Sequence, residues 1–193
     1  MKFLQQKEQF LSKPDKSGIG GIDKAIRNLV DMINTNSGYY TTSSCAGRII
    51  LMVETGKKQE SVFVFETHEK ADVDEIKTAL QHDKRARKAE MIYLKEEPCI
   101  LHVACKTAKD ADRLVNIARQ SGWKKSGIIS LKEGKVMVEM LSTERLEAPI
   151  MKKGKMTIHD DYLKILIDES NKKLKQTRQK IKNLEKAIIK SCN

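Results

Sequence analysis

The stretch from Tyr39 to Arg48, Tyr-Tyr-Thr-Thr-Ser-Ser-Cys-Ala-Gly-Arg, concentrates side chains able to do chemistry. Arg48 presents a planar cation that forks onto a carboxylate or phosphate. Gly47 lets backbone approach a ligand closely, and Ser43, Ser44 and Cys45 add hydroxyls and a thiol. Cys45 and Arg48 are separated by only two residues, too short a loop to encircle a phosphate as in cysteine phosphatases. A polar turn with a solvated arginine is the plainer alternative.

Two histidines compete for a proton-handling role, because imidazole titrates near neutral pH. His68 follows the apolar run Val62–Phe65 and Thr67, and strand ends open onto clefts. It is therefore the first candidate, with Arg48 beside it as the second catalytic residue. His102 lies within Ile100–Ala104 and is the rival; either could equally be a hydrogen-bonded structural histidine. Cys99, His102 and Cys105 suggest a metal, but alternation along a strand puts His102 on the face opposite the two cysteines. Core cysteines fit that spacing better than a zinc site. Ser126-Gly127, after Trp123, suits an anion or carboxylate, while Tyr39, Tyr40 and Trp123 could stack on bases or pack in a core.

The elements that must position these residues follow from periodicity. Apolar side chains of Met1–Phe10 mark a short amphipathic helix ending at Pro14. The glycine-dense segment Asp15–Gly21 lacks the dinucleotide fingerprint and reads as a linker. Ile22, Ile26, Leu29, Val30 and Ile33 predict a helix closed by Gly38. Tyr39–Arg48 then reads as a polar turn before a strand at Ile49–Val53. Gly56-Lys57-Lys58 joins it to a second strand, Val62–Phe65, as a hairpin. A helix over Asp72–Leu80 continues into Lys84–Lys88. Strands at Met91–Leu94 and Ile100–Ala104 flank Glu96-Glu97-Pro98, and Ala108–Gln120 is helical. Strands Ile128–Leu131, Val136–Leu141 and Leu146–Met151 complete the pattern. The order suggests an internal helix–strand–strand duplication.

From His159 one long helix is expected, with Ile167, Leu174, Ile181 and Ile188 recurring every seven residues. Leu163 and Leu184 occupy the adjoining seam, interrupted by Ser170 and Thr177. Lys172, Lys175, Lys182 and Lys186 give it a basic face, either solvated or bound to phosphates.

The 193 residues carry 37 Lys+Arg against 26 Asp+Glu, a net charge of +11, which favours a polyanion such as RNA. No apolar run reaches the length of a membrane span. Four cysteines without a Cys-x-x-Cys pair, and no apolar leader, suggest a cytoplasmic protein with reduced thiols. The expected fold class is α+β, with mixed or antiparallel sheets, flanking helices and a long basic C-terminal helix over 159–190. The whole of 1–193 is expected to form a single catalytic domain. Oligomeric state is not legible.

Taken in order, these segments resemble the tRNA wybutosine-synthesis methyltransferase family over nearly the whole chain. The resemblance rests on Asp15-Lys16-Ser17 with Gly20 and Ile22-Asp23, on Tyr40 to Arg48, and on Thr67-His68. Glu97-Pro98, Ile100 to Val103, Ser121-Gly122-Trp123, Ser126-Gly127-Ile128, Ala148-Pro149, Tyr162-Leu163 and Asn171 extend it. It departs from the family pattern at Ile19, Ala46 and Thr67. It implies S-adenosylmethionine-dependent methylation of N4 in a wyosine precursor, the base 3′ of the anticodon in tRNA-Phe. His68 and Arg48 would then be catalytic, and Ser43, Ser44, Cys45, Gly47, His102, Trp123, Ser126 and Gly127 would bind cofactor or substrate. Lys172, Lys175, Lys182 and Lys186 would hold the RNA. A non-catalytic basic RNA-binding protein is the alternative.

Overall fold

The computed structural model describes residues 2–13, 21–54 and 62–192. The body of the glycine-dense loop (15–20) and the Gly56-Lys57-Lys58 turn lie outside the described residues. Along the chain run α1 (Phe3–Leu11), α2 (Arg27–Thr35), β1 (Tyr39–Cys45), β2 (Arg48–Val53), β3 (Val62–Thr67), α3 (Val73–His82) and α4 (Lys84–Lys88). Then come β4 (Met91–Glu97), β5 (Ile100–Cys105), α5 (Ala108–Gln120), β6 (Gly127–Lys132), β7 (Lys135–Leu141), β8 (Leu146–Lys152), β9 (Lys155–Met156) and α6 (Asp160–Cys192). The class is α+β with antiparallel sheets and a long C-terminal helix. Contacts divide the chain into two compact units. The first comprises Met1–Ala46, Cys99–Thr143 and Thr177–Asn193, and the second Gly47–Pro98 and Glu144–Gln176.

The first unit is built on an antiparallel sheet in the order β1-β5-β7-β6. Alternation sends Leu101, Val103 and Cys105 of β5, and Val136, Val138 and Met140 of β7, to one face. There they pack with Leu29, Val30 and Ile33 of α2, Leu114 and Ala118 of α5, Trp123, and Ile181 and Leu184 of α6. α5 begins at a capping box in which Thr107 accepts from the Asp110 N–H and Asp110 accepts from the Thr107 N–H. On the opposite face α1 sets Phe3 and Phe10 against Tyr40, with ring centroids 5.3 and 5.6 Å away.

The second unit carries a sheet in the order β3-β2-β4-β8-β9. Ile49, Leu51 and Val53 of β2, with Ile92 and Leu94 of β4, face Ile76 and Leu80 of α3 and Leu163, Ile167 and Leu174 of α6. Asp72 caps α3 through the Glu75 N–H at 2.8 Å. Asn171 of α6 clamps the residue before that cap. Its amide donates to the Ala71 carbonyl at 2.8 Å and its oxygen accepts from the Ala71 N–H at 3.0 Å. Asp160 and Asp161 open α6, where carboxylates complement the positive end of the helix. Ser170 and Thr177, which interrupt the expected seam, are nevertheless buried, and Ser170 donates back to the Leu166 carbonyl. No helix among the described residues is long and apolar enough to cross a membrane.

β4 runs through Glu96 and Glu97, which pair with Ile49 and Arg48, so the expected break before β5 does not begin at Glu96. Two larger differences lie at β1 and α3. Tyr39–Cys45 is not a turn but strand β1, paired with β5 from Tyr39↔Cys105 to Cys45↔Ile100. Its Tyr and Thr residues are good strand formers, and its polar side chains suit a face that is partly exposed. The change of direction is confined to Ala46-Gly47, where Gly47 takes φ of 88°, a region that favours glycine. Second, α3 does not continue into the basic segment. Asp83 breaks the helix and caps α4, accepting the Arg85 N–H at 2.8 Å. As for the suggested duplication, β2/β3 and β6/β7 are each antiparallel neighbours. A strand stands between α2 and β2, whereas turns occupy 121–126.

Candidate active site

The register of the first sheet lines up Ser43, His102, Glu139 and Gly127 across β1, β5, β7 and β6. A bulge between Thr41 and Ser43 matters here. Without the extra residue, Thr42 would lie opposite His102 instead of Ser43. The Ser43 Oγ stands 2.7 Å from His102 Nδ1, and His102 Nε2 stands 3.0 Å from Glu139 Oε2. A carboxylate only accepts, so in the neutral ring Nε2 carries the hydrogen and Nδ1 accepts from the serine hydroxyl. Ser43 is exposed, and the side chains of His102 and Glu139 are 27% and 30% exposed. Beside Glu139, Gly127 offers no side chain, and a Cβ there would meet nothing within 4 Å. Cys45, two residues beyond Ser43, pairs with Ile100, and its thiol lies within 4.8 Å of an Asp23 carboxylate oxygen, while Ser44 pairs with Leu101 of the core-facing row.

The backbone where β1 ends is fixed from both sides. Asp23 accepts the Ala46 N–H at 2.7 Å, and Arg178 donates to the Ala46 carbonyl. Cys99 and Cys105 are buried on the core side, opposite His102. Burial pushes the Cys99 thiol well up and the Cys105 thiol up to about 12, so both stay protonated at neutral pH.

Trp123 and Ser126 are not at this surface. Trp123 is 0% exposed, its indole N–H donating to the Lys180 carbonyl at 3.1 Å. A ring enclosed in the core has no face to offer a base. Ser126, also buried, donates to the Trp123 carbonyl at 2.6 Å and accepts from the Leu141 N–H at 3.3 Å. Both residues brace the turn that delivers Gly127. Tyr40 is likewise buried, beneath α1.

In the second unit Arg48 is already engaged. Its guanidinium holds Glu66 at 2.5 Å and Glu97 at 2.7 Å, and lies 4.9 Å from the centre of the Phe63 ring. Burial alone would lower its pKa, but the hydrogen bonds and charges of Glu97 and Glu66 outweigh that and raise it. The expected fork onto a ligand is thus a fork onto two carboxylates of its own unit, which together leave one surplus negative charge. β2 pairs with β3 so that Ile49 lies opposite Thr67. Continued by one residue, that register sets His68 across from Arg48. Lys172, Lys175, Lys182 and Lys186 are all exposed on α6. At 100° per residue they fall within a sector of about 80°. Lys172 is paired with Glu169 at 3.1 Å.

Glu139 had no distinguishing mark in the sequence. It is one polar residue among the alternating apolar positions of β7, and only the strand register reveals its partner. Asn171 belonged to the motif pattern, but its clamp on Ala71 becomes visible only in the fold.

Residues 4–190 match the family described as Methyltransferase TYW3. A Xenopus laevis protein named tRNA wybutosine-synthesizing protein 3 homolog is 34% identical over 98% of this chain and 75% of its own length. A Thermococcus sibiricus protein is 34% identical over 97% of this chain and 94% of its own. It is named tRNA(Phe) 7-((3-amino-3-carboxypropyl)-4-demethylwyosine(37)-N(4))-methyltransferase. The solved structure of the PH1069 protein from Pyrococcus horikoshii superposes with a TM-score of 0.82 at 30% identity, covering 96% of this chain and 92% of that one. With strand order, bulge and open row on one side and matches of this extent on the other, the chain belongs to the TYW3 methyltransferase family.

Proposed function

We propose that this protein methylates N4 of a wyosine-precursor base in tRNA(Phe), with S-adenosylmethionine as methyl donor. The observation that carries the reading is the imidazole of His102 held between a hydroxyl and a carboxylate on an open sheet face. Methylation of a ring N–H needs a proton acceptor and no metal. S-adenosylmethionine supplies a methyl group already activated on a sulfonium. The row suits such a cation, for it contains a carboxylate and neither lysine nor arginine. Ser43, Cys45 and Gly127 line the binding surface, and His102 takes the proton. His68, Arg48 and Gly47 are proposed as a substrate-contacting group within the second unit. Arg48 acts there by holding Glu66 and Glu97, whose surplus charge favours a cation, rather than by binding phosphate itself.

The test is incubation of precursor tRNA with labelled donor, followed by nucleoside mass spectrometry. A methyl group at N4 supports the proposal. Binding of tRNA without donor binding or transfer would leave a non-catalytic RNA-binding protein.

Arg48→Ala removes a two-carboxylate fork on a partly exposed strand, so stability falls by about 1–2 kcal/mol and the chain still folds. Transfer is lost, and Arg48→Lys restores little of it because an ammonium cannot fork. Near-normal turnover of Arg48→Ala on precursor tRNA would reduce the residue to a stabilising one.

The exposed lysines of α6 are proposed to contact tRNA phosphates. Replacing Lys175, Lys182 and Lys186 by Gln weakens tRNA binding and lowers the slope of log affinity against log salt by about 0.7–0.9 per contact. Lys172→Gln changes it less, since Glu169 already shares that charge. Donor affinity is unaffected. A salt slope equal to the wild type's would sink the contact.

A further inference from the structure

We infer that Ser43, His102 and Glu139 form a proton relay in which Glu139 is the positioning residue and the Ser43 hydroxyl meets the substrate. The inference rests on the methylation proposed above and adds a direction of proton flow that the row's chemistry dictates. Glu139 lies directly across the ladder from His102 and holds Nε2 at 3.0 Å. Because the carboxylate can only accept, it keeps the hydrogen on Nε2 and leaves Nδ1 with a free lone pair. That lone pair faces Ser43 Oγ at 2.7 Å. The serine hydroxyl therefore points its hydrogen at the ring and its remaining lone pairs away from it, toward the exposed side of the sheet. The bulge in β1 puts Ser43, not Thr42, in this place. Thr42 is turned instead onto the His102 carbonyl at 3.3 Å, which steadies the backbone that carries the imidazole.

The target nitrogen forms a bond to the methyl carbon as the carbon–sulfur bond breaks, and its N–H proton passes to Ser43 Oγ. The Ser43 proton moves to His102 Nδ1. The resulting imidazolium is stabilised through its Nε2–H by the Glu139 carboxylate, and the proton then leaves to water. Nitrogen exchanges a proton for a methyl cation equivalent, and sulfur departs as a neutral thioether. A relay of this form requires Glu139 to set the tautomer without touching the substrate, and requires Ser43 to have its hydroxyl.

The deciding experiment uses the full chain with ¹⁵N-labelled histidine, as wild type, Glu139→Ala and Ser43→Ala, in two measurements on each. In nitrogen NMR, the His102 ring of the wild type and of Ser43→Ala shows the Nε2–H tautomer. In Glu139→Ala a substantial share passes to the Nδ1–H form, now free to donate to Ser43. In single-turnover transfer to precursor tRNA, both variants lose about 10- to 100-fold in rate, the range for removing a partner that orients a working group. Rates are compared at saturating donor, because Glu139→Ala also removes the row's carboxylate and so weakens binding of the cationic donor. Transfer by the wild type is the control for the methylation. Its absence would overturn that reading, and the relay with it. Normal transfer by the wild type together with near-normal rates in Glu139→Ala or Ser43→Ala would overturn the relay alone. So would a His102 tautomer that does not respond to loss of Glu139.

Discussion

Replacing His102 by alanine lowers the single-turnover rate of methyl transfer by about 10²–10⁴-fold, or roughly 3–5 kcal/mol of barrier. The fold survives, because the ring is partly exposed on the sheet face away from the unit's core and its neighbours Leu101 and Val103 keep their packing. Donor binding is near normal, since the imidazole acts on the proton. His68→Ala behaves differently. It raises the concentration of tRNA or donor needed for half-maximal rate while leaving the rate at saturation within a few-fold of wild type. Single-turnover kinetics on both variants separate the two roles. The reverse pattern, with His68→Ala losing the chemical step and His102→Ala keeping it, would return the proton to the strand end beside Arg48.

Trp123→Ala is the largest expected change in stability, about 3–5 kcal/mol. The ring is fully enclosed in the first unit's core, and its indole N–H satisfies the Lys180 carbonyl in the middle of α6. Losing it leaves a large void and removes one hydrogen bond, while the Lys180 carbonyl keeps its place in the helix ladder. Trp123→Phe keeps most of the volume and loses only the hydrogen bond, so it costs about 1–2 kcal/mol. Urea unfolding followed by far-ultraviolet circular dichroism measures both, against a typical total stability of about 5–15 kcal/mol. An unchanged midpoint for Trp123→Ala, with loss of tRNA binding instead, would mean the ring leaves the core to stack on a base.

Much of the fold is legible in the residues because local signals agree with it. α5 carries Ala111, Leu114, Val115 and Ala118 at helical spacing after a Thr-x-x-Asp cap, and the expected span coincides with the observed helix. The seam of α6 is buried from Leu163 to Leu184 where periodicity placed it, and Ile188 is half-buried. β1 was hidden for a physical reason. Its partner β5 lies about sixty residues away, and no local pattern announces a strand whose central positions are Thr and Ser. The candidate site shows the same division. Ser43, His102 and Gly127 could be named from their types, but their alignment depends on three strand pairings and a bulge. Glu139 depends on register entirely. Trp123 and Ser126 were drawn to the surface by their company, a polar turn. Hydrogen bonds within that turn and to α6 hold them in the core.

The most direct test of the whole account is a single-turnover reaction of wild type and His102→Ala with precursor tRNA and S-adenosylmethionine, with the nucleoside product mapped by mass spectrometry. The account predicts one methyl group on N4 from the wild type and a rate lower by at least about 10² from the variant, with tRNA and donor binding intact in both. Methylation at another position, or equal rates from the two proteins, would contradict it.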